Sequence, residues 1–281
     1  MQTLLEPLRK YARMTAYFSL ALPVLLLLVL LALGGAMAGW LAKSPAPQRQ
    51  LAGFSTSLKG RTRGQRHNAQ LAARSLDNRV VAAGGVFSFN QAVQSWSVDQ
   101  GYSKALVSYD GELVRAYGGG VCQTSTTLYN AALLAGLPIL ERHPHVFVPG
   151  YIKPGRDAAV AYPGIDLRFR NPFVTPIRIR AQVRGERLEV SLVGASGAKN
   201  APSVRIESEL LSVTPPQRLT RVRQSHGTAR RAYLHSAGAA GYRVVTHRVF
   251  AWRGRETRRE CLGDDTYPPM NRVIALLRDA P

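Results

Sequence analysis

The longest apolar run lies near the start of the chain, where Tyr17–Trp40 reads YFSLALPVLLLLVLLALGGAMAGW without a charge. A helix needs about 20 such residues to cross a bilayer core, so residues 17–41 are expected to form a transmembrane helix. Arg9, Lys10 and Arg13 precede it, which favours a cytoplasmic segment 1–16, although Lys43, Arg49 and Lys59 follow closely and weaken the charge bias. Ala36-Met37-Ala38 also has the form of a signal-peptidase site. The run is longer than an ordinary signal core, which favours an uncleaved anchor. Under either reading the remainder leaves the cytoplasm, giving a single-pass protein of the bacterial inner (cytoplasmic) membrane with its soluble part outside.

Beyond the anchor the periodicity changes. Residues 42–53, with Lys43–Gln50 reading KSPAPQRQ, form a proline-containing spacer, and the folded part is expected to begin near Phe54. Ala69, Ala72, Ala73 and Leu76 fall on one face of a short helix that Asp77-Asn78 would end. Val80-Val81 and Val86–Phe89 flank a Gly84-Gly85 turn, and Ala105–Tyr109 leads into the hairpin pair Asp110-Gly111. Leu167–Arg170 and Ile177–Arg180 alternate apolar with charged residues, as strands with one wet face do, and Arg184-Gly185-Glu186 turns into Leu188–Val193. After Gly194 the chain becomes richer in Ser, Ala, Pro and Arg. Thr214-Pro215-Pro216 reads as a joint, and strands are expected at Tyr242–Trp252 and Glu256–Leu262. The fold class is therefore α+β: a mainly antiparallel sheet over 54–194 with a glycine-loop-to-helix element, an N-terminal transmembrane helix, and a small β module over 201–281.

Composition changes this picture little. With 46% apolar and 19% charged residues the 281-residue chain can bury a core. The net charge of +20 comes mostly from arginine, 31 of 37 basic residues. These are scattered from Arg9 to Arg278 without a zinc-finger spacing, an RNA-binding aromatic signature or a basic heptad helix, so no nucleic-acid partner is expected. Anionic lipid head groups, or the carboxylates and phosphates of a cell wall, suit such a surface better.

Candidate chemistry concentrates in Tyr117–Gly136, YGGGVCQTSTTLYNAALLAG. Gly118, Gly119 and Gly120 permit close approach and unusual backbone angles, and Gly136 and Pro138 end the helix between. Cys122 falls at the first turn of that helix, where free N–H groups and the helix dipole favour a thiolate. His145 or His143 would supply a base and Asp157 or Asp166 would orient it, while backbone N–H groups at Cys122 and Gln123 would face an oxyanion. The order Cys, His, Asp is similar in arrangement to papain-like and transglutaminase-like enzymes, although the Cys-to-His interval is short and no tryptophan follows Cys122. Structural roles are open for the same residues: a buried Cys122 or a disulfide with Cys261, glycines that only pack the helix, and capping by Ser125–Thr127 hydroxyls. Neither a metal site nor a cofactor is expected, because two histidines and one cysteine lack further ligands.

The stretches YGGGVCQTSTTLYNAALLAGLPILERHPH and KPGRDAAV, with HNAQLAA, GGVFSFN and GYSKALV upstream and Asp166-Leu-Arg-Phe-Arg-Asn171 downstream, resemble the VanW-like proteins. The resemblance covers about Phe54–Gly194. It implies a cell-envelope protein, often membrane-anchored and often carrying small glycine-containing β modules, of which GAAGYRVVTHRV and RRECLGDDTYPP look like a degenerate copy. The family's association with glycopeptide resistance implies peptidoglycan or its precursors as surroundings, and it implies no particular reaction. Two functions fit. One is a non-catalytic module in which Gly118, Gly119, Gly120, Gln123, Ser125 and Thr126 form a pocket and Arg142 and Arg156 hold carboxylates. The other is a cysteine amidase or acyl-transferase acting on wall peptides.

Overall fold

A computed structural model describes residues 48–109, 112–195, 202–225, 232–279. The expected anchor at 17–41 lies outside the described residues, and no helix among those described is long and apolar enough to cross a membrane. The strands are β1 (Gln48–Ser57), β2 (Val80–Val81), β3 (Val86–Ser88), β4 (Lys104–Tyr109), β5 (Glu112–Tyr117), β6 (Ile139–Glu141), β7 (Arg168–Arg170), β8 (Ile177–Arg184) and β9 (Arg187–Ala195), followed by β10 (Ser203–Thr214), β11 (Arg218–Ser225), β12 (Ala232–Ser236), β13 (Gly241–Trp252), β14 (Arg255–Tyr267) and β15 (Arg272–Asp279). Among the described residues three α-helices accompany them: α1 (Arg63–Leu76), α2 (Phe89–Val93) and α3 (Val121–Leu134).

The main sheet has the order β1-β9-β8-β2, all antiparallel. Its alternation is visible in β9, where Leu188, Val190 and Leu192 are buried and the residues between are not. β8 adds Ile177, Ile179 and Ala181 to the same core, and α1 and α3 pack against these strands. α1 carries the expected apolar face, Ala69, Ala72, Ala73 and Leu76. It starts at a capping box in which the Thr62 hydroxyl accepts from the Gln65 N–H while the Gln65 side chain accepts from the Thr62 N–H. β3, β7 and β6 form a smaller sheet, with Phe87 stacked on Phe169 at 4.8 Å.

Two hairpins follow the sequence reading. β8 and β9 turn through Gly185, at φ +56°, and β4 pairs with β5 up to Tyr109 and Glu112; Asp110-Gly111 itself lies outside the described residues. β1 begins at Gln48, inside the stretch read as spacer. Its polar first residues are held by backbone pairing with Val193–Ala195, which no hydrophobic pattern announces.

The strands after Gly194 form two three-stranded sheets, β10-β13-β14 and β11-β15-β12, the second mixed because β11 runs parallel to β15. Strands expected at Tyr242–Trp252 and Glu256–Leu262 correspond to β13 and β14. Residues 47–281 form one compact unit, and the first of the C-terminal sheets is joined to the rest by buried polar contacts. The Arg248 guanidinium donates to the Leu137 carbonyl, just past the end of α3, at 2.6 Å and pairs with Glu260.

Candidate active site

Helix α3 is unusual for its polar content: Gln123, Thr124, Ser125, Thr126, Thr127 and Asn130 are all buried. Buried polar groups are tolerated when hydrogen-bonded, and each of these is. The Gln123 amide donates to the Thr56 hydroxyl and the Ser57 carbonyl of β1. Thr124 donates to Ala69 of α1, Ser125 to the Ala158 carbonyl at 2.6 Å, and Asn130 to the Arg156 carbonyl. Thr126 accepts from the Ala158 N–H. The helix is thereby fixed to β1, to α1 and to the segment 156–158.

That registration sets Cys122 against His145 and Asp157. His145 shares a cavity wall with Cys122, whose thiol donates to the Val160 carbonyl at 3.4 Å; the His145 Nδ1 lies 2.7 Å from Asp157 Oδ2, which also accepts the His145 backbone N–H at 2.6 Å. With Nδ1 engaged by the carboxylate, Nε2 is the nitrogen left for sulfur. Asp157 is fully buried; its Oδ1 accepts from Tyr267 at 2.6 Å and from Arg142 at 3.2 Å.

Burial pushes the Cys122 thiol up, but the neighbouring His145, through its proton and its charge, outweighs burial and leaves the thiol below its ordinary value. Burial lowers His145, yet the bond to Asp157 and the neighbouring Cys122 sulfur carry it to about 9. Asp157 is held low against its own burial, chiefly by His145 and Arg142. Opposed shifts of this kind in neighbouring groups move the pair toward thiolate and imidazolium.

Cys122 is half-buried and opens on a cavity of about 270 Å³ walled by the three glycines, His145, Phe147 and Tyr151. An apolar groove of about 560 Å³ adjoins it, sharing Phe147–Gly150 and Met270 and continuing along Leu210, Tyr242 and Val244.

A family model described as VanW like protein matches residues 64–193, the segment that holds Cys122, His145 and Asp157. Over those residues the chain is similar to the VanW-like family. The chain is 40% identical over 144 residues to the uncharacterized protein YoaR of Bacillus subtilis (strain 168), an alignment spanning 51% of this chain and 48% of YoaR. It is 34% identical over 110 residues to the vancomycin B-type resistance protein VanW of Enterococcus faecalis (strain ATCC 700802 / V583), spanning 37% of this chain and 40% of that protein. The chain thus spans less than half the length of either relative. The IgA1 protease G5 domain structure is 20% identical to part of the chain, covering 30% of it and 100% of the domain, with a TM-score of 0.19; a likeness that slight carries no inference.

Of the other candidate residues, the three glycines and Gln123 line the cavity with Cys122, and His143, Asp166 and the two arginines do not. His143 is exposed and contacts Glu141 at 3.1 Å. The Asp166 carboxylate accepts from the Ser88 hydroxyl and from the Asn90 and Leu167 N–H groups, and so fixes the start of α2. Arg142 and Arg156, read as carboxylate holders for a ligand, are engaged within the protein: Arg142 by Asp157 and Asp265, Arg156 by Asn130 and the Phe54 ring. Gly118 and Gly120 line the cavity and also serve packing, since a Cβ would lie 2.1 Å from Trp96 and 2.2 Å from the Gln65 carbonyl respectively. The Gln123 N–H, expected to face an oxyanion, donates to Gly120 instead.

Ser125 and Thr126 are committed to Ala158. Cys122 and Cys261 are both free thiols, so the disulfide alternative fails: Cys261 sits exposed on β14, opposite His247. Among the described residues no group of three or more His, Cys, Asp or Glu side chains is arranged for a metal ion. Three contributors had no sequence signal: Tyr151, whose phenol is pushed well up by burial and the nearby sulfur, and Asp265 and Tyr267, more than a hundred positions from their partners.

Proposed function

We propose that this chain is a membrane-anchored envelope protein whose VanW-like domain uses Cys122 as the nucleophile in acyl transfer or amide hydrolysis on cell-wall peptides. The observation that carries the reading is that Cys122 and His145 line one open cavity, with the His145 ring held by the buried Asp157. In this scheme the Cys122 thiolate adds to a peptide carbonyl carbon, and protonated His145 gives its proton to the departing amine as the C–N bond breaks. The resulting thioester is then attacked by an amine or by water, which loses a proton to His145, and the thiolate leaves. Wall peptides are the proposed substrate class because of the resemblance to an envelope family and because one relative is named for vancomycin resistance.

A binding module without turnover would use the same cavity but has no need of an imidazole held between a thiol and a carboxylate. The two readings separate on one experiment: incubation of the purified protein with peptidoglycan-derived peptides, followed by intact-mass analysis. A thioester adduct on Cys122, absent in Cys122→Ser, is expected; peptide binding that is equal in both proteins, with no adduct and no product, favours the module. The exported topology is tested separately by fusing, after Pro281, a reporter active only outside the cytoplasm. Its activity is expected, and activity of a cytoplasmic reporter alone would overturn the topology.

A further inference from the structure

The thiol centre depends on a strand that lies outside the family match. Asp157 occupies the turn Pro154-Gly155-Arg156-Asp157, and β13 and β14 hold that turn from the C-terminal side. Gly155, at φ +79°, lies so close to β13 that a Cβ would sit 2.1 Å from the Thr246 hydroxyl oxygen, and its N–H donates to the Tyr267 phenol oxygen at 3.0 Å. The same phenol donates to Asp157 Oδ1 at 2.6 Å. Two positions earlier on β14, Asp265 receives Arg142 Nη1 at 2.7 Å on both oxygens, while Arg142 Nε donates to the Asp157 backbone carbonyl at 2.8 Å and Nη2 to its side chain at 3.2 Å. Asp265 and Tyr267 are buried, at 7% and 2% exposure, so these bonds are shielded from competing water.

We propose that Tyr267 and Asp265 are positioning residues for the Cys122 centre: together they fix which oxygen of Asp157 meets His145, so that the C-terminal sheet is part of the site. Each Asp157 oxygen has its own donors. Oδ2 serves His145 alone, through Nδ1 and N–H, because Oδ1 is occupied by Tyr267 and Arg142. Asp265 in turn holds Arg142 by a charge-assisted pair shorter than the Arg142–Asp157 side-chain contact, which keeps the guanidinium from drawing the carboxylate off the imidazole. If the phenol hydroxyl is removed, Oδ1 keeps only the 3.2 Å contact and the carboxylate can turn about its Cβ–Cγ bond toward Arg142.

This inference rests on the thiol reading above, and the test distinguishes their failures. It uses the full-length chain carrying Cys261→Ser, so that Cys122 is the remaining thiol, and follows iodoacetamide alkylation against pH before and after Tyr267→Phe. The parent should alkylate with a midpoint below the ordinary thiol value of about 8.5. In Tyr267→Phe the midpoint should rise by about one pH unit, which is roughly tenfold slower alkylation at pH values below both midpoints. A purely structural tyrosine would alter melting without moving this midpoint. An unchanged or lower midpoint in a folded variant, with a low midpoint in the parent, overturns the positioning role alone. An ordinary midpoint in the parent overturns the thiol centre and this inference with it. Asp265→Asn, which keeps the side-chain size and an acceptor oxygen, should move the midpoint in the same direction by less; should Tyr267→Phe fail to fold, no rise in Asp265→Asn overturns the proposal.

Discussion

Arg142, Asp157 and Asp265 are almost wholly removed from water, with side chains at most 8% exposed. On β10 and β14, Arg205, Glu207, Glu256 and Arg259 make a set of ion pairs at comparable distances, with side chains 36–49% exposed. In water a charge that loses its partner is solvated again. In the interior it is left uncompensated, so similar residues at similar distances carry different consequences. The buried set is also the one that touches the thiol centre, through Asp157.

Removing the charge at the centre of the buried set should have the largest effect. Asp157→Ala leaves the part-buried His145 without its carboxylate and Arg142 with Asp265 alone, and a loss of about 3–5 kcal/mol in denaturant unfolding is expected, with alkylation of Cys122 slowed toward that of an ordinary thiol. A loss under about 1 kcal/mol would mean that water reaches the network.

Next in size is the contact between the Asp157 turn and the C-terminal sheet. Gly155→Ala introduces a Cβ at positive φ against Thr246 and should cost more than about 1 kcal/mol, read as a lowered urea midpoint. Thr246→Ala in that background should recover part of the loss by removing the nearest atom, and no recovery would place the whole cost in the backbone angle.

A smaller effect concerns pH. His145 is raised to about 9 in the folded protein, against about 6.5 in an unfolded chain. A raised pKa adds stability that is complete below the unfolded value and is lost as pH climbs through the folded one. The stability gap between the wild type and His145→Gln should therefore be fully present below about pH 6.5 and close as pH passes about 9. A gap that widens with rising pH would show that His145 is neutral in the native protein.

Smallest of all should be Glu256→Gln on the exposed set, where no resolvable change in melting temperature is expected. A clear drop would show that the surface pairs act as a coupled network, and would narrow the contrast with the buried set.

Local chemistry wrote much of the VanW-like domain into the chain. The alanine face of α1, the alternation in β8 and β9, the hairpin at Gly185 and the glycine approach to α3 all depend on neighbours within a few positions, where side-chain period and backbone freedom decide the outcome. For the same reason Cys122 stands out as a helix-start thiol, and His145 and Asp157 as residues able to serve it. Which histidine and which aspartate were left open, because His143 and His145 share composition and flanks. Only the tertiary structure turns one to solvent beside Glu141 and the other inward to Asp157. The polar residues of α3 were legible as capping or ligand groups; that they bond the helix to β1, α1 and Ala158 follows from packing. Asp265 and Tyr267 were invisible for a stronger reason. Their roles exist only once β14 is laid beside the turn holding Asp157, and a contact between residues so far apart leaves no periodicity, spacing or local preference in the chain. The sequence by itself determined α1, α3, the β8–β9 hairpin and the candidate side chains, while the docking of the C-terminal sheet decided how those side chains are held.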